Sequence, residues 1–248
     1  MQTLNHPLPS TGPGTQRHWC SLHFGARRNG RKAVIQCSLH ADEVPGLLVG
    51  LHLRRELQQL EAAGEIEGEI VLVPVANPIG LSQSVLGSGI GRFEMGSGIN
   101  FNRGYRNLVP ELKTRVLDRL GPDALANTAL IRAEAARLLD EWRPATEAEA
   151  LKQGLQRLAI DADTVLDLHS DSEALLHLYA PTPHADTARD LARCLGAQPV
   201  LLARESGDDP FDESVARHWW ELQEAAAGHA PVELACFSTT IELRGERD

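Results

Sequence analysis

Two short, nearly unbroken apolar runs constrain this chain more than any other feature: AVIQCSL (33–39) and EIVLVPVA (69–76). Both are too short for buried helices, and apolar residues at successive positions suit strands covered on both faces rather than one. Helical patterns lie between and after them. One starts at Pro45, a natural first-turn position, and runs to about Ala62. Others span about Pro110–Leu139, Thr146–Leu158, Ala185–Leu195 and Asp212–Ala227. Further strand-like runs occupy Thr164–Leu168, Leu175–Ala180, Pro199–Ala203 and about Val232–Leu243. Strands alternating with helices predict an α/β domain whose central sheet is mixed, mainly parallel and flanked by helices.

Residues 1–16 are rich in Pro, Gly, Ser and Thr and read as a loose lead-in, leaving 17–248 as one domain. His18–Ala26 and Lys32–Leu39, joined across Asn29-Gly30, read as a β-hairpin, since that dipeptide favours tight turns. Arg27, Arg28, Arg31 and Lys32 would then be solvated turn charges. Between residues 80 and 109 no period is visible, and five glycines fall between Gly87 and Gly98. A loop that long in a compact domain usually carries function or is disordered.

With 24 basic and 34 acidic residues the net charge is −10, which disfavours nucleic acid and anionic membranes as partners. The N-terminus has no apolar signal run, and no stretch reaches the roughly 18 apolar residues of a membrane helix, so the expected location is the cytoplasm. Cys20, Cys37, Cys194 and Cys236 show no CxxC spacing; Cys37 and Cys236 read as reduced core residues. No G-x-S-x-G elbow is present, and Gly87-Ser-Gly89-Ile-Gly91 does not match a dinucleotide fingerprint.

Open α/β sheets place their sites beyond the carboxyl ends of strands. The run AVIQCSL stops at His40 with Glu43 three residues on, and TVLDL stops at His169. Two imidazoles and a carboxylate suit catalytic zinc, which usually keeps one position open for water. An H-x-x-E pair alone is weak, because isolated strand-end histidines are commonly structural. The other histidines (His6, His18, His23, His52, His177, His184, His218, His229) lack convergent spacing and read as structural or surface residues.

His40-Ala-Asp-Glu43, Asn77-Pro78, Arg92-Phe93, Asn102-Arg103, Asp167-Leu-His169 and Thr240-Ile-Glu242 follow in this order. The ordered set resembles the zinc metallocarboxypeptidase superfamily, and within it the succinylglutamate desuccinylase/aspartoacylase branch, from about Lys32 to Arg244. The resemblance implies a zinc carboxypeptidase-like catalytic domain holding one Zn²⁺ per chain through His40, Glu43 and His169. It implies Glu242 as the group that takes the attacking water's proton, and Arg92 as the polariser of the scissile carbonyl. Asn102 and Arg103 would grip a substrate carboxylate, and Asp167 would orient a ligand histidine. The implied reaction is hydrolysis of an N-acyl amino acid or similar small carboxylate-bearing amide. A peptide-cleaving zinc carboxypeptidase and a non-catalytic zinc-binding homologue stay open as alternatives, as does a homo-oligomer. Ala41, Asn100, Arg244 and Glu246 depart from the branch's usual pattern. The branch also continues into a smaller C-terminal β-rich domain; this chain ends six residues after Glu242, so that domain is expected to be absent, by truncation or in a shortened variant.

Overall fold

The computed structural model describes residues 1–10, 12–27 and 30–245. Arg28 and Asn29, hence the turn expected at Asn29-Gly30, lie outside the described residues, as does Glu246. In chain order the elements begin with β1 (Gln2–Pro7), β2 (His18–Gly25), β3 (Lys32–Cys37), α1 (Val44–Ala63), β4 (Glu69–Val73) and α2 (Pro78–Leu81). A two-residue hairpin, β5 (Ser84–Val85) and β6 (Ser88–Gly89), precedes α3 (Val109–Val116), α4 (Ala124–Glu141) and α5 (Glu147–Ala159). The chain then forms β7 (Thr164–Asp171), β8 (Leu176–Pro181), α6 (Ala185–Leu195), β9 (Val200–Ala203), α7 (Phe211–Ala225) and β10 (Phe237–Gly245).

Eight strands form one sheet in the order β1-β2-β4-β3-β7-β10-β8-β9. The centre, β4-β3-β7-β10, is parallel; β2 joins β4, and β8 joins β10, in antiparallel fashion. This is the mixed, mostly parallel, helix-flanked sheet expected from the alternation of elements. Burial explains which strands are central. Val34 and Cys37 of β3, Leu72 and Val73 of β4 and Val165 of β7 are buried. α3, α4, α5 and α7 cover one face through Leu112, Ile131, Leu138, Leu155, Val215 and Trp219. α1 and α6 cover the other, where Leu22, Phe24, Leu57, Leu72, Leu168 and Leu178 pack. Each such side chain contributes about 1.5–3 kcal/mol by leaving water. Cys37 and Cys236 are buried free thiols, with pKa values pushed up to about 12, chiefly by burial.

Lys32, expected as a solvated turn charge, is instead buried at the start of β3, its Nζ donating to the Leu158 carbonyl and to Asp161. Three further expectations need correction. The β2–β3 hairpin does not form. Strand β4 inserts between them: Leu22–Gly25 pairs with Leu72–Glu69, while β3 pairs with β4 and β7 in parallel. A strand apolar on both faces belongs in the middle of a helix-covered sheet, and β3 takes that place between β4 and β7. The connection instead passes the start of β4, where Ala26 N–H donates to the Gly68 carbonyl and Glu69 N–H to the Arg31 carbonyl. Secondly, residues 2–7 of the supposed lead-in form edge strand β1, in register with β2 from Gln2↔His23 to Pro7↔His18. His6 stacks on Trp19 at 3.8 Å between ring centroids and bonds Ser21 Oγ at 2.8 Å, which fastens the edge. Thirdly, the helix expected over 110–139 is split at Gly121-Pro122 into α3 and α4. Asp123 caps the second piece, its Oδ1 accepting from Leu125 and Ala126 N–H.

α1 lies close over the sheet because Gly50 faces it. A Cβ there would stand 3.1 Å from Cys37 Sγ and 3.5 Å from the Pro74 backbone. That close approach sets where the start of α1, and with it Glu43, meets the ends of β3 and β7.

Candidate active site

β3 ends in a turn at Ser38, which is buried with φ of +61°, and the chain then places His40 and Glu43 directly before α1. Glu43 occupies the N-cap position yet makes no side-chain cap bond, so its carboxylate is free to turn toward the histidines. On β7, Asp167 and His169 are two residues apart and share a face. Glu43 Oε1 lies 2.7 Å from His40 Nδ1 and Oε2 lies 2.9 Å from His169 Nδ1. Ser170 N–H donates to Oε2 and Arg92 Nη2 to Oε1, each at 2.9 Å. His40, Glu43 and His169 are buried, and their candidate ligand atoms lie within 4.8 Å of one another.

The outer nitrogens decide what this cluster can hold. His40 Nε2 is 2.8 Å from Asn100 Oδ1, an atom identified as oxygen because it also accepts from Asn102 N–H. His169 Nε2 is 2.9 Å from Asp167 Oδ2, whose other oxygen accepts from Gln36 Nε2. Both Nε2 atoms therefore donate, and a neutral imidazole then has only a lone pair at Nδ1. Both Nδ1 atoms face the Glu43 carboxylate, so a positive charge must sit between them. A second proton on each ring would supply it; so would a metal ion bound by two Nδ1 lone pairs and the carboxylate. The donor set fits zinc, with Asp167 and Asn100 holding the ligand rings in place. Burial opposes charge on Glu43, but its bonds to His169 and His40 outweigh it and keep its pKa below the usual carboxylate range. Burial likewise opposes His169 ionisation, and the Asp167 and Glu43 carboxylates reverse this, holding its pKa well above the ordinary value.

Glu242 on β10 is the register partner of His169 on β7 and of His177 on β8. Its Oε2 is buried without a hydrogen-bond partner among the described residues. Burial first, opposed by His169 and reinforced by Glu43, pushes its pKa up to about 7. A slip in register follows between Glu242 and Gly245, where Arg244 adopts φ of +79°. Arg244, a departure from the family pattern, thus occupies a conformation that favours glycine.

A cavity of about 510 Å³ opens over the cluster. His40, His169, Arg92, Asn102, Arg103 and Glu242 all line it, with Glu43 beneath. The 91–103 loop reaches the site by close backbone packing. Gly91 carbonyl accepts from Ala41 N–H at 3.3 Å, and a Cβ at Gly91 would stand 2.2 Å from Asp42 N. Arg103 Nη1 donates to the Asn102 carbonyl, and no carboxylate among the described residues pairs with it. The Asn102 amide is committed on one side. Its Oδ1 accepts from Phe211 N–H at 2.9 Å, tying the loop to the start of α7.

Sequence reasoning passed over several residues here. Asn100, noted only as a departure from the family, orients His40. Lys152 on α5 donates to the Asn100 and Arg103 carbonyls at 3.2 and 2.6 Å, clamping the loop, and burial pulls its pKa down to about 8. Its signal was a lysine on the same helix face as Leu151, Leu155 and Ala159. Asp212 lines the cavity and bonds Thr240; burial and the Asp167 charge raise its pKa to about 6. His177, read as structural, faces Glu242 across the strand pair.

The chain belongs to the succinylglutamate desuccinylase/aspartoacylase family: residues 29–223 match the family's catalytic domain. Glu242 lies beyond the matched span. No match is found among curated proteins. Among solved structures, a candidate family member from Shewanella amazonensis superposes with a TM-score of 0.82 at 26% identity, over 99% of this chain and 66% of that one. A second, from Shewanella frigidimarina, gives 0.83 at 23% identity, over 100% and 66%. A candidate metallopeptidase from Shewanella amazonensis gives 0.58 at 16% identity, over 98% and 79%, a likeness of fold alone. The chain thus spans 66% of the length of the first two structures. Among the described residues no helix is long and apolar enough to cross a membrane.

Proposed function

We propose that the protein is a zinc-dependent hydrolase that cleaves the amide bond of an N-acyl amino acid or a similar small carboxylate-bearing amide. The observation that carries this reading is the pair of imidazoles whose Nδ1 atoms converge on Glu43 while both Nε2 atoms are already committed as donors. A zinc ion held by His40, Glu43 and His169 would lower the pKa of water to about 7, making a nucleophile available at neutral pH.

The chain's own groups account for the rest. Glu242, with a pKa of about 7, takes the attacking water's proton and passes it to the departing amine; a base poised near the working pH serves both halves of that transfer. Arg92, at the edge of the cluster, faces the oxygen of the scissile carbonyl, where negative charge develops. Arg103 receives the substrate carboxylate, for which a guanidinium offers two parallel donors. Asn102 and Lys152 keep the loop that carries Arg103 in register with the cluster.

The test is metal content by plasma mass spectrometry on wild type and His169→Ala, with amine release from a panel of N-acyl amino acids and dipeptides. About one zinc per chain, lost in the variant, together with turnover of N-acyl amino acids, is the expected result. Zinc absent from wild type after incubation with excess metal, and no turnover, would sink the reading. Preferential cleavage of the dipeptides would move the protein to the peptidase class.

A further inference from the structure

The cavity is divided by chemistry in a way that bears on its substrate. Three guanidinium groups line it, and two are engaged: Arg92 by Glu43 and Arg204 by Glu224. Arg103 remains, with no carboxylate partner among the described residues. The same cavity is lined by four acids, Asp171, Asp212, Glu213 and Glu242. Several of their oxygens already accept hydrogen bonds. Glu213 accepts from Ser206 N–H and Oγ, Asp171 from Ser172 N–H and Asp212 from Thr240.

Between these charges runs an apolar surface made by sheet register. Thr240, Tyr179 and Leu201 are successive partners across β10, β8 and β9, so they share the face that carries Glu242. Pro181 and Ala203 form the next pair on that face. Tyr179 and Leu201 are 43% and 45% exposed, and both line the cavity. Burial, then the charges of Glu242 and Asp171, raises the Tyr179 pKa, so the ring stays a neutral phenol beside them.

We infer that the substrate carries a single carboxylate, received by Arg103, and that its other half is apolar and lies against Tyr179 and Leu201. A second carboxylate on that side would meet the carboxyl groups of Asp171, Asp212 and Glu242, and among the described residues the guanidinium on that wall, Arg204, is already paired with Glu224, whereas a hydrocarbon group covers surface that is exposed in this structure. This inference rests on the amide-hydrolase reading above and narrows it to acyl amino acids with one charged and one apolar end.

Isothermal calorimetry on the zinc-loaded full chain tests it with two matched pairs. N-acetyl-L-leucine against N-acetyl-L-aspartate varies the amine half; N-hexanoylglycine against N-succinylglycine varies the acyl half. The expected result is that the apolar member of at least one pair binds about tenfold tighter or more. Leu201→Asp, a change at an exposed edge-strand position whose folding is checked by its thermal midpoint and zinc content, should abolish that preference. Equal or tighter binding of the acidic member in both pairs overturns the inference, as does tighter binding of Nα-acetyl-L-lysine, or no binding of any compound. Turnover of N-acetyl-L-aspartate with such a result would leave the hydrolase reading standing; loss of zinc binding would remove both.

Discussion

Replacing Gly91 by alanine tests how the site is assembled. The added Cβ would stand 2.2 Å from Asp42 N, 2.6 Å from Ala41 C and 2.7 Å from Ala41 N, all backbone atoms of the segment that carries His40 and Glu43. Ordinary contact begins at 3.4 Å, so one backbone must retreat by about 1 Å. No side chain can swing aside to absorb this. Overpacking of this kind costs about 1–3 kcal/mol, which for a chain of this size lowers the thermal midpoint by about 2–12 °C. The retreat also strains the 3.3 Å bond from Ala41 N–H to the Gly91 carbonyl and the 2.9 Å bond from Arg92 to Glu43. Zinc affinity and turnover should therefore fall along with stability. Gly89→Ala is the control in the same loop, since nothing lies within 4 Å of its Cβ position. Differential scanning fluorimetry and a competitive zinc titration on the three proteins give the answer. A Gly91→Ala protein matching Gly89→Ala in both midpoint and zinc affinity would refute the packing argument.

Asp167→Asn keeps the shape but weakens the acceptor that holds His169 Nε2, so zinc affinity should drop about 10–100-fold, read by chelator competition. Glu242 predicts a sign for metal-free stability. Its pKa is about 7 folded against 4.5 as a free group, so the folded state holds a proton that the unfolded state has lost between those values. That contribution is fully present below about pH 4.5 and is lost as pH rises through 7; urea midpoints at pH 5 and 8 should show a decline that Glu242→Gln reduces. An identical decline in both proteins would contradict it. Lys152→Met removes the ammonium donor from the Asn100 and Arg103 carbonyls, leaving the Asn100 oxygen only the Arg103 N–H, and should raise KM for carboxylate substrates more than it lowers kcat. In the core, Ile131→Ala should cost about 2–5 kcal/mol by chemical denaturation without changing zinc stoichiometry.

Much of this protein is written locally. Runs such as AVIQCSL state by their two-sided apolarity that they are central strands, and Pro45 marks where α1 begins, because periodicity and proline's fixed φ act within a few residues. The position of His40 just past the end of β3 was legible for the same reason, and so was the α/β class, whereas β7 runs on to Asp171 and carries His169 within the strand rather than at its end. What tertiary structure alone decided is who neighbours whom. β4 displaces β2 from beside β3, a choice made by burying both faces of β3 rather than by the turn sequence at Asn29-Gly30. Residues 2–7 look like a linker in composition and become a strand only because the β2 edge offers a ladder. Asn100, Lys152 and Asp212 bear no motif; each matters through a partner far along the chain, His40, the 100–103 loop or Thr240. Hydrogen-bond pairing and burial across a sheet join residues that sequence spacing does not relate, and the cavity's apolar wall arises from that register, while Arg92 and Arg103 reach the cavity on a loop fastened by Lys152 and the start of α7.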